Sequence, residues 1–327
     1  MSYAEVSYQV SNATVHMLNT RAIQCPQYLL DQAKARPAAP TAIVNAGTRL
    51  ALQGARLAFD EGLIEPVLVG DLQAISWCAH DIGWDISEIR MVAAESEQQA
   101  AQTAVLLANN NEVCALVKGS VHTDILLQAV TCKHTGLRTK RGLSHVFHMS
   151  MPESDKVLYI SDAVIRVSPS VKVKMDIVRN AVELAHTLGN SKPKVAILSA
   201  TEQATPVMPS SEDAVKITRL AEKGGVKEAI VYGPLAFDLA VSSEAARIKG
   251  IDNPVAGNAD ILVVPNIETG NALFKQMVYF MGACAAGIVL GAKVPIALTS
   301  RADSAAARLA STAIAAIIAV GDQPHSV

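Results

Sequence analysis

Charge is the first thing this sequence has little of. Asp, Glu, Lys and Arg make up 18% of its 327 residues and leave a net charge of -2, against roughly 25% charged residues in an average soluble domain. Little of the chain can therefore be solvated tail or linker. No electrostatic case exists for nucleic acid or an anionic membrane as partner, because both need clustered Lys and Arg. Cysteine is sparse too: Cys25, Cys78, Cys114, Cys132 and Cys284 are scattered, odd in number and form no C-x-x-C pair. That excludes a zinc ribbon or a disulfide framework and fits a reducing cytoplasm. No apolar run reaches the ~20 residues that a bilayer needs. The longest, 277–290, contains Gly282, Cys284 and Gly287 and is followed by Lys293 and Pro295; it reads as a buried helix. Residues 1–10 carry Glu5, Tyr8 and Gln9 with no apolar core, so no secretory signal is expected there. The P-loop G-x-x-x-x-G-K-[ST], a strand-linked G-x-G-x-x-G, the G-x-S-x-G elbow and H-E-x-x-H are all missing. No cluster of His and carboxylates suits a metal.

What is present is apolar and alternating. Half of the residues are hydrophobic, and the length suits two α/β domains or one large one. Short apolar runs at 41–46, 66–70, 89–93 and 113–118 alternate with helical spacing at 48–59, 96–109 and 122–130. Asp71 is a plausible cap for the helix after the second run. Two strands, 144–149 and 156–161, then follow without a full helix between them. A long helix at 170–188, stopped by Gly189, reopens the alternation: strands 195–200, 229–232, 260–265 and 295–299, helices 211–223, 237–248, 269–290 and 304–320. Continuous apolar strands between helices indicate a mainly parallel sheet covered on both faces.

In such sheets ligands bind beyond the carboxyl ends of the strands, where three clusters fall. The segment 300–304 (SRADS) offers two hydroxyls, a guanidinium and a carboxylate where the last helix starts, a place that favours anions. A cap made by Ser300 or Asp303, with Arg301 in solvent, would use the same residues. The segment 118–124 (KGSVHTD) brings Lys118, Ser120, His122 and Thr123 to another strand end, with Gly119 allowing close backbone approach. Here the alternative is a turn capped by Ser120 or Thr123. The segment 136–145 (GLRTKRGLSH) carries Arg138, Lys140 and Arg141 between glycines and reads as an anion loop or a solvated basic loop. Arg308 and Ser311 continue the face of Arg301 and Ser304.

Several stretches resemble the phosphate acetyltransferase/phosphate butyryltransferase (phosphotransacylase) family. They are 233–280 (GPLAFDLAVSSEAARIKGIDNPVAGNADILVVPNIETGNALFKQMVYF), 118–130 (KGSVHTDILLQAV), 136–147 (GLRTKRGLSHVF), 159–170 (YISDAVIRVSPS) and 298–304 (LTSRADS). The likeness runs from about Ala42 to the C-terminus, and the S-R-A-D-S form is similar to the butyryltransferase branch. It implies two three-layer αβα domains with the fold of isocitrate and isopropylmalate dehydrogenases. Residues 1–149 plus 296–327 would form one domain and 150–295 the inserted second. It also implies a homodimer, an interdomain cleft holding all three clusters, and no permanently bound cofactor.

The implied reaction moves a short acyl group between coenzyme A and inorganic phosphate, as acyl-CoA plus phosphate giving acyl phosphate plus CoA. Ser300, Arg301 and Asp303 would be catalytic. Lys118, Ser120, His122, Thr123, Arg138, Arg141, Ser144, Asn271 and Lys275 would bind phosphate or CoA, although Asn271 could equally cap its helix. In the acetyltransferases an aspartate six residues after the Arg is the proposed thiol base; here that position is Ala307, which makes Asp303 the substitute. Two other readings exist: a CoA-binding regulatory relative without turnover, and a metal-dependent hydroxyacid dehydrogenase on the same fold. Arg301→Ala should cut turnover roughly a hundredfold by removing a charge-assisted phosphate contact; a near-wild-type rate in a thiol-release assay would acquit the residue.

Overall fold

The computed structural model describes residues 18–19, 21–300 and 302–321; the stretch 1–10 examined for a signal lies outside them. Helix α1 (Gln27–Lys34) precedes a run of strands and crossover helices: β1 (Ala39–Val44), α2 (Arg49–Asp60), β2 (Ile64–Gly70), α3 (Leu72–Asp81), β3 (Met91–Ala93), α4 (Glu97–Asn109), β4 (Ala115–Lys118) and α5 (Thr123–Thr131). Next come β5 (Ser144–Ser150), β6 (Leu158–Ser161), α6 (Val171–Thr187), β7 (Lys194–Leu198), α7 (Pro209–Leu220) and β8 (Ile230–Leu235). The chain continues through α8 (Phe237–Val241), α9 (Ser243–Ile248), β9 (Ile261–Val263), α10 (Ile267–Met281), β10 (Cys284–Leu290), β11 (Ile296–Ala297) and α11 (Ala305–Ala319).

The strands join in one sheet in the order β3-β2-β1-β4-β11-β10-β5-β6-β9-β7-β8. Pairing is parallel except at the middle, where β6 meets β5, β5 meets β10, and β10 meets β11 antiparallel. This is the α/β, mainly parallel class expected from the apolar strands. The antiparallel centre follows from connections too short to hold a crossover helix. Because β11 pairs parallel with β4, the ends of β4 and β11 share one edge of the sheet.

The two faces are covered differently. On one, α1, α2, α3, α6, α7 and α11 share a continuous core that includes Leu29, Leu52, Ile75, Ile177, Ile217 and Ile314. On the other there are two cores. One joins α4 and α5 to β1 and β4 through Ala104, Leu126, Val44 and Leu116. The second joins α8, α9 and α10 to β6 and β9 through Leu239, Ala246, Phe274, Ile160 and Leu262. Helical cover on this face is thus interrupted above the middle strands.

Caps are local and mostly side-chain made. Asp71 accepts from the Ala74 N–H as expected, and Thr48, Ser96 and Asn266 do the same for α2, α4 and α10. At the edge of the sheet Trp84 is buried beside Phe59, with ring centroids 6.0 Å apart, while Trp77 is exposed.

The apolar stretch 277–290 is not one helix. It divides at Gly282, which has φ +69°, closes α10 with its N–H donating to the Val278 carbonyl, and leads into β10. Periodicity does not separate a buried strand from a buried helix, and of the two glycines in the run only Gly282 takes a positive φ. The expected helix 237–248 likewise divides, at Ser242, whose hydroxyl caps α9. Gly282→Ala should lower stability by about 1–2 kcal/mol, since a left-handed turn costs a β-carbon that much. An unchanged denaturation midpoint would show that the left-handed turn does not require glycine.

Candidate active site

A cavity of about 380 Å³ opens where the helical cover is interrupted. The end of β4 and the start of α5 supply Lys118, His122 and Thr123; the turn after β11 supplies Thr299, Ser300 and Asp303; α10 supplies Asn271, Phe274 and Lys275. The segments 118–123 and 299–303 are more than 150 positions apart, and the parallel pairing of β4 with β11 makes them neighbours. A second recess of about 310 Å³ shares Lys118, Thr299 and Ser300 and adds Ser120, Gly119 and Arg308.

The turn after β11 is tightly tied. The Ser300 backbone N–H donates to Asp303 Oδ2 at 2.7 Å, and the Ala302 N–H donates to Ser300 Oγ at 3.2 Å. The cap of α11 is Ser304, which accepts from the Ala307 N–H; neither Ser300 nor Asp303 is spent on that task. Ala307 is itself buried, so the position where an aspartate was expected belongs to the first turn of α11 and its core. Arg301 lies outside the described residues.

Burial raises the Asp303 carboxyl above its ordinary range, opposed by the Ser300 N–H and by the positive fields of Arg308, Lys118 and Lys275. Burial wins because it penalises the charged form. Arg308 donates to the Asp303 carbonyl oxygen at 2.5 Å, and partial burial pulls its own guanidinium slightly down. A carboxyl that holds its proton longer than usual therefore sits within a ring of three cations.

The approach of the chain at Gly119 is the closest in the site. A β-carbon there would lie 2.4 Å from the Val44 carbonyl oxygen, while the Gly119 and Ser120 N–H groups donate to the carbonyls of Val44 and Asn45. His122 stands before α5 without capping it by its side chain; Glu97 accepts from its backbone N–H and contacts Nδ1, both at 2.8 Å. Asn271 donates to the Ala163 carbonyl at 3.4 Å, and the cap of α10 is Asn266 rather than Thr269 or Asn271.

Three wall residues escaped the strand-end reading. Phe147 on β5 stacks on Phe274, with ring centroids 4.0 Å apart and 26° between planes. His145 is fully buried beside them, its pKa pushed down to about 4 by burial against the opposing pull of Asp162. Among the described residues its Nδ1 has no hydrogen-bond partner. Alternation along 144–150 was the available signal for an inward-facing residue, but not for what it faces.

The basic loop is placed elsewhere, which corrects the expectation that all three clusters share the cleft. Cys114 precedes β4 and Lys118 ends it; Thr139, Lys140 and Arg141 join Cys114 in a different cavity, at the opposite edge of the sheet. Arg141 pairs with Glu183 on α6, and Arg138 bridges to Ala292. Both lie before β5, which points the same way as β4, so they come at strand beginnings. Ser144 is fully buried and its hydroxyl accepts from Asn180 Nδ2 at 2.8 Å; it does not join the cavity.

Comparison with known proteins gives a consistent picture. The phosphate acetyl/butaryl transferase family model matches residues 92–316. The chain is 45% identical over 291 residues to a phosphate acetyltransferase of Rhizobium meliloti, covering 89% of this chain and 92% of that one. It is 37% identical over 291 residues to a phosphate butyryltransferase of Clostridium acetobutylicum, covering 89% and 97%. Among solved structures, a branched-chain phosphotransacylase from Enterococcus faecalis superposes with a TM-score of 0.73 at 33% identity, over 86% of this chain and 99% of that one. With its family match, its relatives and its fold in agreement, the chain belongs to the phosphotransacylase family of acyltransferases.

Proposed function

We propose that the enzyme transfers a short acyl group between coenzyme A and inorganic phosphate in the cavity at the ends of β4 and β11. The observation that carries this reading is the meeting of Lys118, Lys275, Ser300 and Asp303 in one recess. Cations hold phosphate with an oxygen facing the thioester carbonyl carbon; Lys118 and Lys275 do this, with Arg308 behind them. The P–O–C bond forms as the C–S bond breaks, and the sulfur leaves as thiolate within the cationic field. Ser300 supplies a hydroxyl to donate to the developing oxyanion. In the reverse direction the free thiol, with an ordinary pKa near 8.5, gives its proton to Asp303.

The apolar wall sets the acyl chain. Phe147 and Phe274 close the cavity opposite the polar turn and leave room for a few carbons, which suits acetyl to butyryl groups. In this reading 1–149 plus 296–327 form one domain and 150–295 the second, with the interrupted helical cover as the cleft, although β10 of the second lies between β11 and β5 of the first. The exposed Tyr279, Phe280 and Met281 at the end of α10 suit burial against a second copy in a homodimer. All five cysteines are free thiols, in keeping with work in the cytoplasm.

Acetyl-, propionyl- and butyryl-CoA with phosphate should each be tested for thiol release; silence with all three would overturn the assignment. Phe274→Leu should raise the butyryl-to-acetyl ratio of kcat/KM by roughly tenfold, about the value of one methylene in an apolar pocket. An unchanged ratio would remove Phe274 from the acyl wall. Because the Asp303 pKa is raised, the protonated form persists above the usual carboxylate range. Turnover of acyl phosphate with CoA should therefore rise with pH through an acid limb lying above that range. Asp303→Asn should abolish this limb along with most of kcat; a profile that keeps it would assign the base elsewhere.

A further inference from the structure

One buried polar group on the wall of the active cavity is not used by the acyl transfer. His145 is 0% exposed, yet it lines the same cavity as Lys118, Ser300 and Phe274. It stands on β5, where odd-numbered residues face the interrupted side of the sheet: Phe147 and Met149 belong to the core under α10, and Val146 belongs to the opposite core. The imidazole is thus on the apolar side of the site, edge-on to Phe147 with 4.4 Å between ring centroids.

The residue is held firmly. Its backbone N–H donates to Asp162 Oδ2 at 2.9 Å, and its carbonyl accepts from the Ser161 hydroxyl at 2.8 Å. Ring Nε2 lies 3.5 Å from the Leu298 carbonyl oxygen, and a β-carbon on Gly287 would come within 2.7 Å of it. That corner of the ring is full. A carbonyl only accepts, so the Leu298 contact places the ring proton on Nε2 and leaves a lone pair on Nδ1. No hydrogen bond reaches Nδ1 among the described residues. Asp162 is occupied by the backbone N–H groups of His145, Val164 and Ile165.

A buried polar atom without a partner is costly, and folded proteins keep very few of them. On the wall of a substrate cavity the partner can arrive with the substrate. Phosphate and the leaving sulfur carry negative charge and belong with Lys118 and Lys275. The acyl chain is what lies against Phe147 and Phe274. A plain acyl chain offers only C–H groups there and leaves Nδ1 unpaired in the complex. A hydroxyl on the chain donates to the lone pair and brings no charge into the apolar wall. An ammonium or carboxylate in its place would bring an unpaired charge.

We propose that the group transferred is a short hydroxyacyl group, recognised by a hydrogen bond from its hydroxyl to His145 Nδ1. The inference rests on the acyl-transfer reading and names the substrate class within it. His145 acts as a specificity residue: it meets the substituent and not the reacting carbonyl. A pocket built to bond a hydroxyl discriminates strongly against the analogue that lacks it, because the polar group of the pocket is then left unpaired.

The test compares both enantiomers of 3-hydroxybutyryl-CoA with butyryl-CoA, by thiol release with phosphate and by calorimetric affinity without it. Wild type should favour the better hydroxyacyl enantiomer over butyryl by roughly tenfold or more, in kcat/KM and in affinity. His145→Leu should bring both ratios near unity, whereas His145→Asn, which keeps a polar atom close to the Nδ1 position, should retain part of the preference. A role in folding alone would weaken both substrates together and leave the ratios where they were. A wild-type ratio of unity or below, or a full preference that survives His145→Leu, would overturn the proposal. The wild-type comparison decides even where a variant does not fold. Thiol release from butyryl-CoA without a hydroxyl preference sinks this inference and spares the acyl transfer. A hydroxyl preference in binding without thiol release does the reverse.

Discussion

The structure depends on one constraint: both apolar faces of a long sheet must be covered, and on one face the cover is incomplete. The core beneath α1, α2, α3, α6, α7 and α11 runs unbroken across the sheet. The opposite face is covered by two separate helix groups, and the strands between them would be open to water were it not for Phe147, Phe274 and His145. Burying apolar area at roughly 25 cal/mol per Å² makes the unbroken face the scaffold. The interrupted face is where a substrate can displace water and take over part of that burial.

The chemistry follows from where strands end at this interruption. β4 and β11 point the same way, so Lys118 and Ser300 arrive side by side although 182 positions separate them in the chain. Helix α10 comes in from the other group and contributes Lys275 and Phe274. The site thus holds cations and one carboxyl on a polar side and two stacked rings on an apolar side, a division that matches a substrate with a charged end and a greasy end. Asp303 ties the two aspects together. The burial that raises its pKa is opposed by the fields of Arg308, Lys118 and Lys275, the cations to which the proposed reaction assigns phosphate.

Much of this could be read before any coordinates. Parallel strands buried on both sides leave unbroken apolar runs, so nearly every strand was visible, as was the cap at Asp71. The strand β10 was hidden because its composition matches the helix before it, and Gly282 alone marks the boundary. Of the site, Lys118, His122, Thr123 and the 300–303 turn were legible because they follow strands, and ligands gather there. Phe147 and His145 were not, since nothing in a strand's own sequence says which helix is missing above it. The basic loop misled in an instructive way: Arg138 and Arg141 precede a strand, and composition alone drew attention to them while direction placed them at the far edge.

The two tryptophans carry a practical consequence. Trp84 is buried against Phe59 and Trp77 is exposed on α3, both at the β3 end of an eleven-stranded sheet whose cleft lies at its middle. Their emission reports the integrity of that end. Ligand entering the cleft leaves both indoles in unchanged surroundings, so intrinsic fluorescence is a probe of unfolding here and not of occupancy. An optical signal from the site itself would have to be introduced, for instance by placing an indole at Phe274, where a ring already lies against the substrate's path.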